Sequence, residues 1–148
     1  MVPLRVRSYF SLLRGTASPA ELCNRARQFG YQSLALTDRE NLYGLWPFLK
    51  ACKQENIRPI IGSEIRLGAD QQELVLLVTD PAGYRNLCNI ISKVKNKGQI
   101  DVCPQSAKLF KGLVLLTRDE TILKRCCQLE LMVAADLGSR PTEGGCRL

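Results

Sequence analysis

The sequence contains no histidine among its 148 residues. Histidine is the commonest metal ligand in proteins and the side chain that most often serves as a general acid or base. Any chemistry that depends on a neutral imidazole near pH 7 is therefore excluded for these residues. A metal site or an acid–base centre would have to be built from other side chains.

Long apolar runs are also missing. No stretch approaches the roughly 20 apolar residues that a membrane-spanning helix needs. The N-terminal residues 1–7 carry charges where a signal peptide has its apolar run. We therefore expect a cytoplasmic protein. Its length suits one domain, and its 45% hydrophobic and 24% charged residues are ordinary for a globular chain.

A cysteine framework of the usual kind is absent as well. The seven cysteines are odd in number and never form a C-x-x-C pair, so neither a structural zinc site nor a complete set of disulfides is indicated. We interpret them as reduced thiols that act as small hydrophobic side chains, as in the apolar pair Ala51–Cys52.

Positive charge, in contrast, is abundant. Lys and Arg number 21 against 14 Asp and Glu, which gives a formal net charge of +7. Such an excess favours approach to nucleic acid or another polyanion, but it specifies no binding site by itself.

Apolar runs without polar alternation recur between helical patterns, which is typical of strands covered on both faces. Strands are predicted at 4–8, 33–37, 58–67, 74–78, 112–117 and 129–133. Helices are predicted at 19–29, at 46–55, from 81 onward, and at 119–127. This order indicates an α/β fold with parallel strands, either an open doubly wound sheet or part of a (β/α) barrel with about six βα elements. We expect one domain over 1–137 and a flexible C-terminal tail over 138–148, where the apolar pattern stops.

Polar side chains at the ends of these strands are the candidates for a functional site, because ligands of parallel α/β folds bind there. Arg5 and Arg7 lie two residues apart in the first predicted strand and therefore point to the same face. If the strands are neighbours, they converge with Arg39 and Glu64. The residues at these strand ends are Arg5, Arg7, Ser8, Arg14, Asp38, Arg39, Glu40 and Glu64.

Five segments carry a family resemblance. Residues 4–15 (LRVRSYFSLLRG), 34–44 (LALTDRENLYG), 48–53 (FLKACK), 57–64 (IRPIIGSE) and 83–88 (GYRNLC) resemble the PHP (polymerase and histidinol phosphatase) domain. The segments at 41–44 and 83–87 favour the form found in bacterial DNA polymerase III alpha subunits and their error-prone relatives. The resemblance extends from about residue 4 to residue 133.

The resemblance implies a distorted β/α barrel whose strand ends hold metal ions, which active members use to hydrolyse phosphoester bonds. The family's His-x-His pair falls on Arg5 and Arg7, and its further ligand falls on Arg14. Its Thr-Asp-His motif ends on Asp38 and Arg39. Of the former ligand positions, Glu64 alone keeps a ligand type, since its carboxylate matches the family's later Gly-x-Glu.

Arginine cannot replace these ligands, because guanidinium stays protonated and has no lone pair to donate. We therefore expect a degenerate domain without metal or other cofactor. Two interpretations of the arginines stay open at this stage. They pair internally with Glu64, Asp38 and Glu40, or they form a positive pocket for a phosphate or a nucleic-acid backbone.

The resemblance implies a structural or interaction role in DNA replication or repair. The partners would be polymerase subunits, and DNA would be approached indirectly. The incomplete barrel is either stable alone or completed by forming an oligomer. The chain has nothing like the polymerase palm and is shorter than a full family barrel. One alternative is a residual phosphoesterase or 3′–5′ exonuclease. Another is an anion or nucleic-acid binder that works through Arg5, Arg7 and Arg39.

Overall fold

A computed structural model describes residues 2–68, 71–97 and 100–135. Five strands, four α-helices and one short 3-10 helix alternate along this part of the chain. In order they are α1 (Pro19–Gln28), β1 (Ser33–Leu36), α2 (Leu45–Glu55), β2 (Arg58–Leu67), β3 (Gln72–Val78), α3 (Pro81–Lys97), the 3-10 helix (Ala107–Phe110), β4 (Leu113–Thr117), α4 (Glu120–Gln128) and β5 (Val133–Ala135). The predicted tail at 138–148 lies outside the described residues.

The strands form one sheet in the order β1-β2-β3-β4-β5. β1 pairs with β2, and β4 with β5, in parallel, whereas β2–β3 and β3–β4 are antiparallel. The α/β class is confirmed and the sheet fits a partial barrel, but the prediction of uniformly parallel strands is wrong at two pairings. Only four residues of the sequence separate the end of β2 from the start of β3, whereas a parallel crossover needs about a dozen residues or more.

The segment at 4–8 is extended but is not a regular strand, which corrects the first predicted element. It nevertheless runs beside β1. The carbonyl of Pro3 accepts a hydrogen bond from Ala35 N at 3.0 Å, and the carbonyl of Val6 accepts one from Thr37 N at 2.7 Å. Residues 4–8 are therefore fixed along the outer edge of β1, and this places Arg5 and Arg7 near the ends of β1 and β2.

Helix boundaries follow local capping signals. Ser18 Oγ accepts a hydrogen bond from Glu21 N, and the Glu21 carboxylate accepts one from Ser18 N, which forms a capping box at the start of α1. Gly30 follows the helix with a φ of +74°, a left-handed conformation that glycine adopts without strain. At α4, Asp119 caps the backbone amides of Thr121 and Ile122.

Two apolar clusters hold the helices to the sheet. The larger cluster joins β2, β3 and β4 to α3 and α4 and includes the fully buried residues Leu76, Ile90 and Leu115. The smaller cluster packs α1 and α2 against β1 around Cys23 and Phe48. Within the described residues, no helix combines the length and the apolar character needed to cross a membrane.

Candidate functional site

Glu64 lies in the middle of β2 and has no solvent exposure. The parallel pairing of β1 and β2 continues past the end of β1 through a bridge between Arg39 and Glu64. Glu64 N donates to the carbonyl of Asp38 at 3.1 Å, and the carbonyl of Glu64 accepts from Glu40 N at 2.8 Å. The backbone of the turn after β1 is thereby fixed beside a buried carboxylate.

Both carboxylate oxygens of Glu64 are bound by arginine. Arg7 Nη2 lies 2.7 Å from Oε1 and 2.6 Å from Oε2. Arg5 donates to Oε2 from Nε at 2.9 Å, and its Nη2 lies 2.8 Å from the same oxygen. The predicted convergence of Arg5, Arg7 and Glu64 is confirmed by these contacts, which tie residues 4–8 to β2.

Glu73 extends the cluster onto β3. Glu64 pairs with Val75 across the antiparallel strands, and Glu73 lies two residues from Val75 on the same face. Arg5 Nη2 hydrogen-bonds to Glu73 Oε2, and Arg7 Nη2 lies 3.9 Å from that oxygen. Glu73 is not among the site residues predicted from the sequence, because its partners come from a segment more than 60 residues away.

The electrostatic balance at Arg5 and Glu73 favours the charged forms of these two side chains. Burial acts to raise the pKa of Glu73, but the hydrogen bond from Arg5 and the charges of Arg5, Arg7 and Arg39 outweigh it and lower that pKa. Burial likewise opposes the charge on Arg5, yet the nearby carboxylates of Glu64 and Glu73 raise its pKa. Within this cluster, Arg5 and Glu73 favour each other's ionised form.

Asp38 is buried like Glu64, but serines satisfy its carboxylate instead of arginines. Oδ1 accepts from Ser8 N at 2.8 Å and from Ser11 Oγ at 2.7 Å, and Oδ2 accepts from Ser8 Oγ at 2.7 Å. The expected ion pair between Asp38 and the arginine cluster is therefore wrong. Two short hydroxyl side chains reach this carboxylate from the loop at 8–15, which leaves no need for a long cationic side chain.

Glu40 also departs from the expected pairing. Its carboxylate accepts from Arg66 Nε at 2.8 Å and from Arg66 Nη2 at 3.2 Å. This bidentate contact lowers the pKa of Glu40, against the opposing effect of burial. Glu40 thus joins the turn after β1 to β2 through a second ion pair, separate from the one at Glu64.

The loop at 8–15 is tightly folded beneath these residues. Gly15 N and Arg14 N both donate to the carbonyl of Ser11. A Cβ atom at Gly15 would lie 2.0 Å from the carbonyl oxygen of Ser8, so glycine is required for this close approach. The loop leaves Arg14 exposed at the edge of the cluster, and it does not bring Arg14 onto Glu64.

An open depression of about 600 Å³ lies over the cluster, and most of its polar lining is cationic. It is lined by Arg5, Val6, Arg7, Arg14, Glu73 and Arg118. Arg118 is not among the site residues predicted from the sequence. The available signal was its position, since Arg118 directly follows the apolar strand β4 and Asp38 likewise lies just after β1. The buried Nε atoms of Arg7 and Arg39 have no hydrogen-bond partner among the described residues.

The side chains at these strand ends do not form a ligand set for a divalent cation. In the described ranges 2–68, 71–97 and 100–135, no group of three or more His, Cys, Asp or Glu side chains could surround an ion. The metal positions implied by the family resemblance fall on Arg5, Arg7, Arg14 and Arg39, whose guanidinium groups repel a cation. The one carboxylate among those positions, Glu64, already accepts hydrogen bonds from two of these arginines on both oxygens.

Known structures with this architecture define the class of the domain. The chain is similar to a protein of Bifidobacterium adolescentis described as a metal-dependent phosphoesterase, with a TM-score of 0.58 at 13% identity over 90% of this chain and 85% of that one. It is also similar to an amidohydrolase from Chromobacterium violaceum, with a TM-score of 0.54 at 25% identity over 66% of this chain and 34% of that one. The molecule is therefore an α/β domain with a phosphoesterase-like fold.

Residues 3–137 match the family described as PHP domain, and the chain belongs to this family. It is 38% identical over 125 residues to DNA polymerase III subunit alpha of Bacillus subtilis, which covers 80% of this chain and 11% of that protein. It is 41% identical over 96 residues to an error-prone DNA polymerase of Pseudomonas fluorescens, covering 65% of this chain and 9% of the polymerase. The predicted resemblance is confirmed, and the chain spans about a tenth of the length of these relatives.

The ion pairs on Glu64 generate a stability prediction. Glu64→Gln leaves Arg5 and Arg7 partly buried without their shared carboxylate, and it is expected to lower the free energy of unfolding by about 3–5 kcal/mol. Glu73→Gln is the matched control, because Glu73 is partly exposed and contacts the same two arginines. Glu73→Gln is expected to lower the free energy of unfolding by less than about 1 kcal/mol. Urea denaturation of both variants measures the difference, and equal losses would contradict the account.

Proposed function

We propose that this chain is a metal-free PHP domain with a structural and interaction role in DNA replication or repair. The single observation that supports this proposal is the capture of both Glu64 oxygens by Arg5 and Arg7. In this proposal, guanidinium groups stabilise the strand ends where metal ions do so in active relatives. The site is therefore degenerate as a metal centre but remains a structural centre of the fold.

The connectivity of the ion pairs supports a structural role. Arg5 and Arg7 come from the extended segment at 4–8, Glu64 from β2 and Glu73 from β3, so one cluster joins three parts of the chain. A metal ion would join the same parts by binding ligands from several strand ends. The guanidinium groups of Arg5 and Arg7 belong to the chain itself, so they form this cross-link without a bound metal ion.

The relatives suggest the cellular context. DNA polymerase III subunit alpha and error-prone DNA polymerase are the names of proteins similar to this chain. We propose polymerase subunits as its partners, with DNA approached through them, and a cytoplasmic location. We further propose that residues 1–137 form the domain, with self-association as the alternative to association with a polymerase subunit.

The metal-free state is tested by elemental analysis together with thermal unfolding. The purified protein is expected to contain less than stoichiometric zinc and manganese, and its Tm is expected to be unchanged by EDTA or by added Zn²⁺ or Mn²⁺. A metal ion that binds only the folded state, at a free concentration of 100 times its Kd, would raise the free energy of unfolding by about 2.7 kcal/mol. Such a change would be readily measured as a higher Tm.

The opposite result would favour an enzyme. Stoichiometric zinc or manganese, together with phosphoester hydrolysis that is lost in Glu64→Ala, would overturn the structural proposal. It would support the alternative of a residual phosphoesterase or 3′–5′ exonuclease. Metal bound equally by the wild type and Glu64→Ala would contradict the metal-free state and would place the ion away from the arginine–glutamate cluster.

A second candidate function is the binding of phosphate groups, and the cationic depression is the observation that favours it. Its arginines suit bidentate contacts to phosphate oxygens. The partnerless Nε donor of Arg7, which lines the depression, would be satisfied by an anion or a water molecule. The similar amidohydrolase structure is described with bound sulfate and no metal, which shows that a neighbour in fold takes up an oxyanion.

Arg14 allows the phosphate hypothesis to be tested without disturbing Glu64. Arg14→Ala is expected to weaken binding of inorganic phosphate or a short single-stranded oligonucleotide about five- to tenfold, because one charge-assisted contact is lost. Rising salt should weaken oligonucleotide binding of the wild type. Arg27→Ala, which removes an exposed arginine of α1, is the control. Equal effects of the two substitutions on calorimetric titrations would refute a specific site at the depression.

A further inference from the structure

Two cysteines face each other between α1 and α2, away from the arginine cluster. Cys23 lies on α1 and Cys52 on α2, and their sulfur atoms are 3.5 Å apart. The two residues are 0% and 1% exposed, respectively. They belong to the apolar cluster that packs both helices on β1, so their approach is part of the folded core.

The two sulfur atoms lie within about 1.5 Å of bonding distance. A disulfide has a sulfur–sulfur distance of about 2.05 Å, so the two sulfurs must approach by about 1.5 Å. Small side chains, Ala26 and Ala51, lie in the same cluster as the two thiols. The helices therefore meet where little side-chain volume separates them.

Hydrogen bonding makes the two thiols unequal. The hydrogen bond between the two sulfur atoms, in which either thiol can donate, lowers the pKa of Cys23 against the opposing effect of burial. The same contact raises the pKa of Cys52, and burial raises it further. Since the thiolate is the reactive form, Cys23 is the better nucleophile of the pair.

We propose that Cys23 and Cys52 are an oxidisable dithiol, which a peroxide converts into an intrachain disulfide between α1 and α2. The basis is the 3.5 Å separation of two thiols on different helices. The proposal is independent of the arginine cluster and of the proposed role in replication. It also revises the interpretation of these two cysteines as inert hydrophobic side chains.

The reaction balances with hydrogen peroxide as the oxidant. The Cys23 thiolate attacks one peroxide oxygen, the O–O bond breaks, and the departing hydroxide takes up a proton to become water. Cys52 then attacks the sulfur of the Cys23 sulfenic acid, the S–O bond breaks, and a second water leaves. Two thiols are oxidised to one disulfide, while one peroxide molecule is reduced to two water molecules.

The disulfide would enclose a functional part of the fold. The chain between Cys23 and Cys52 includes β1 and the turn that carries Asp38, Arg39 and Glu40. Cross-linking the ends of this segment restricts the unfolded chain and opposes separation of α1 from α2. Oxidation would thus stabilise the elements that present the turn to Glu64.

Peptide mapping tests the bond directly. The full-length reduced protein is treated with peroxide, its remaining thiols are alkylated, and the protein is digested with trypsin. We expect the fragments 15–25 and 51–53 to appear as one linked species, with a mass lower by two hydrogen atoms than the sum of the free peptides. The Tm of the oxidised protein should rise by about 10 °C.

Matched substitutions separate this pair from the other thiols. Cys52→Ala should abolish the linked species and the rise in Tm. Cys126→Ala removes a buried thiol from the other apolar cluster and should leave both unchanged. Reversal by dithiothreitol identifies the disulfide. Recovery of Cys23 and Cys52 as alkylated thiols after peroxide treatment, or their linkage to other cysteines instead, would overturn the proposal.

Discussion

A carboxylate without solvent exposure in the middle of a sheet must be neutralised or paired, because an unpaired buried charge costs several kcal/mol. Glu64 is such a group, and this requirement organises the surrounding structure. Arg5 and Arg7 meet it from a segment that is not itself a regular strand. The backbone bonds of residues 3–6 to β1 and the ion pairs to Glu64 therefore act together, since each fixes the segment in the place where the other can form.

Each carboxylate at these strand ends is bound by a different set of donors. Serine donors hold Asp38, Arg66 holds Glu40, and Arg5 with Arg7 holds Glu64. Each carboxylate thus has a defined set of donors from the chain itself. Positive charge remains in excess around the depression, where Arg14 and Arg118 join Arg5 and Arg7 around Glu73. Arginine side chains thus hold the strand ends together by ion pairs, and the same arginines give the depression a surface suited to anions.

Local signals in the sequence predict most of the fold. The capping box at Ser18, Pro81 at the start of α3 and the cap at Asp119 act within a few residues, so the helices lie close to their predicted bounds. Strand direction depends on long-range pairing, and the two antiparallel pairings were therefore missed. The convergence of Arg5, Arg7 and Glu64 was predictable from strand-end positions. The serine partners of Asp38 were not, because the tight loop at 8–15 determines which donors reach that carboxylate.

The coupling between Arg7 and Glu64 is the most direct test of the claim that protein cations stabilise this centre. A double-mutant cycle with Arg7→Gln, Glu64→Gln and the double variant gives this energy from urea unfolding, measured with and without EDTA. The account predicts a favourable coupling of about 2 kcal/mol or more that is the same in both conditions. Losses that add within about 0.5 kcal/mol, or a coupling that disappears when metal is chelated, would contradict it.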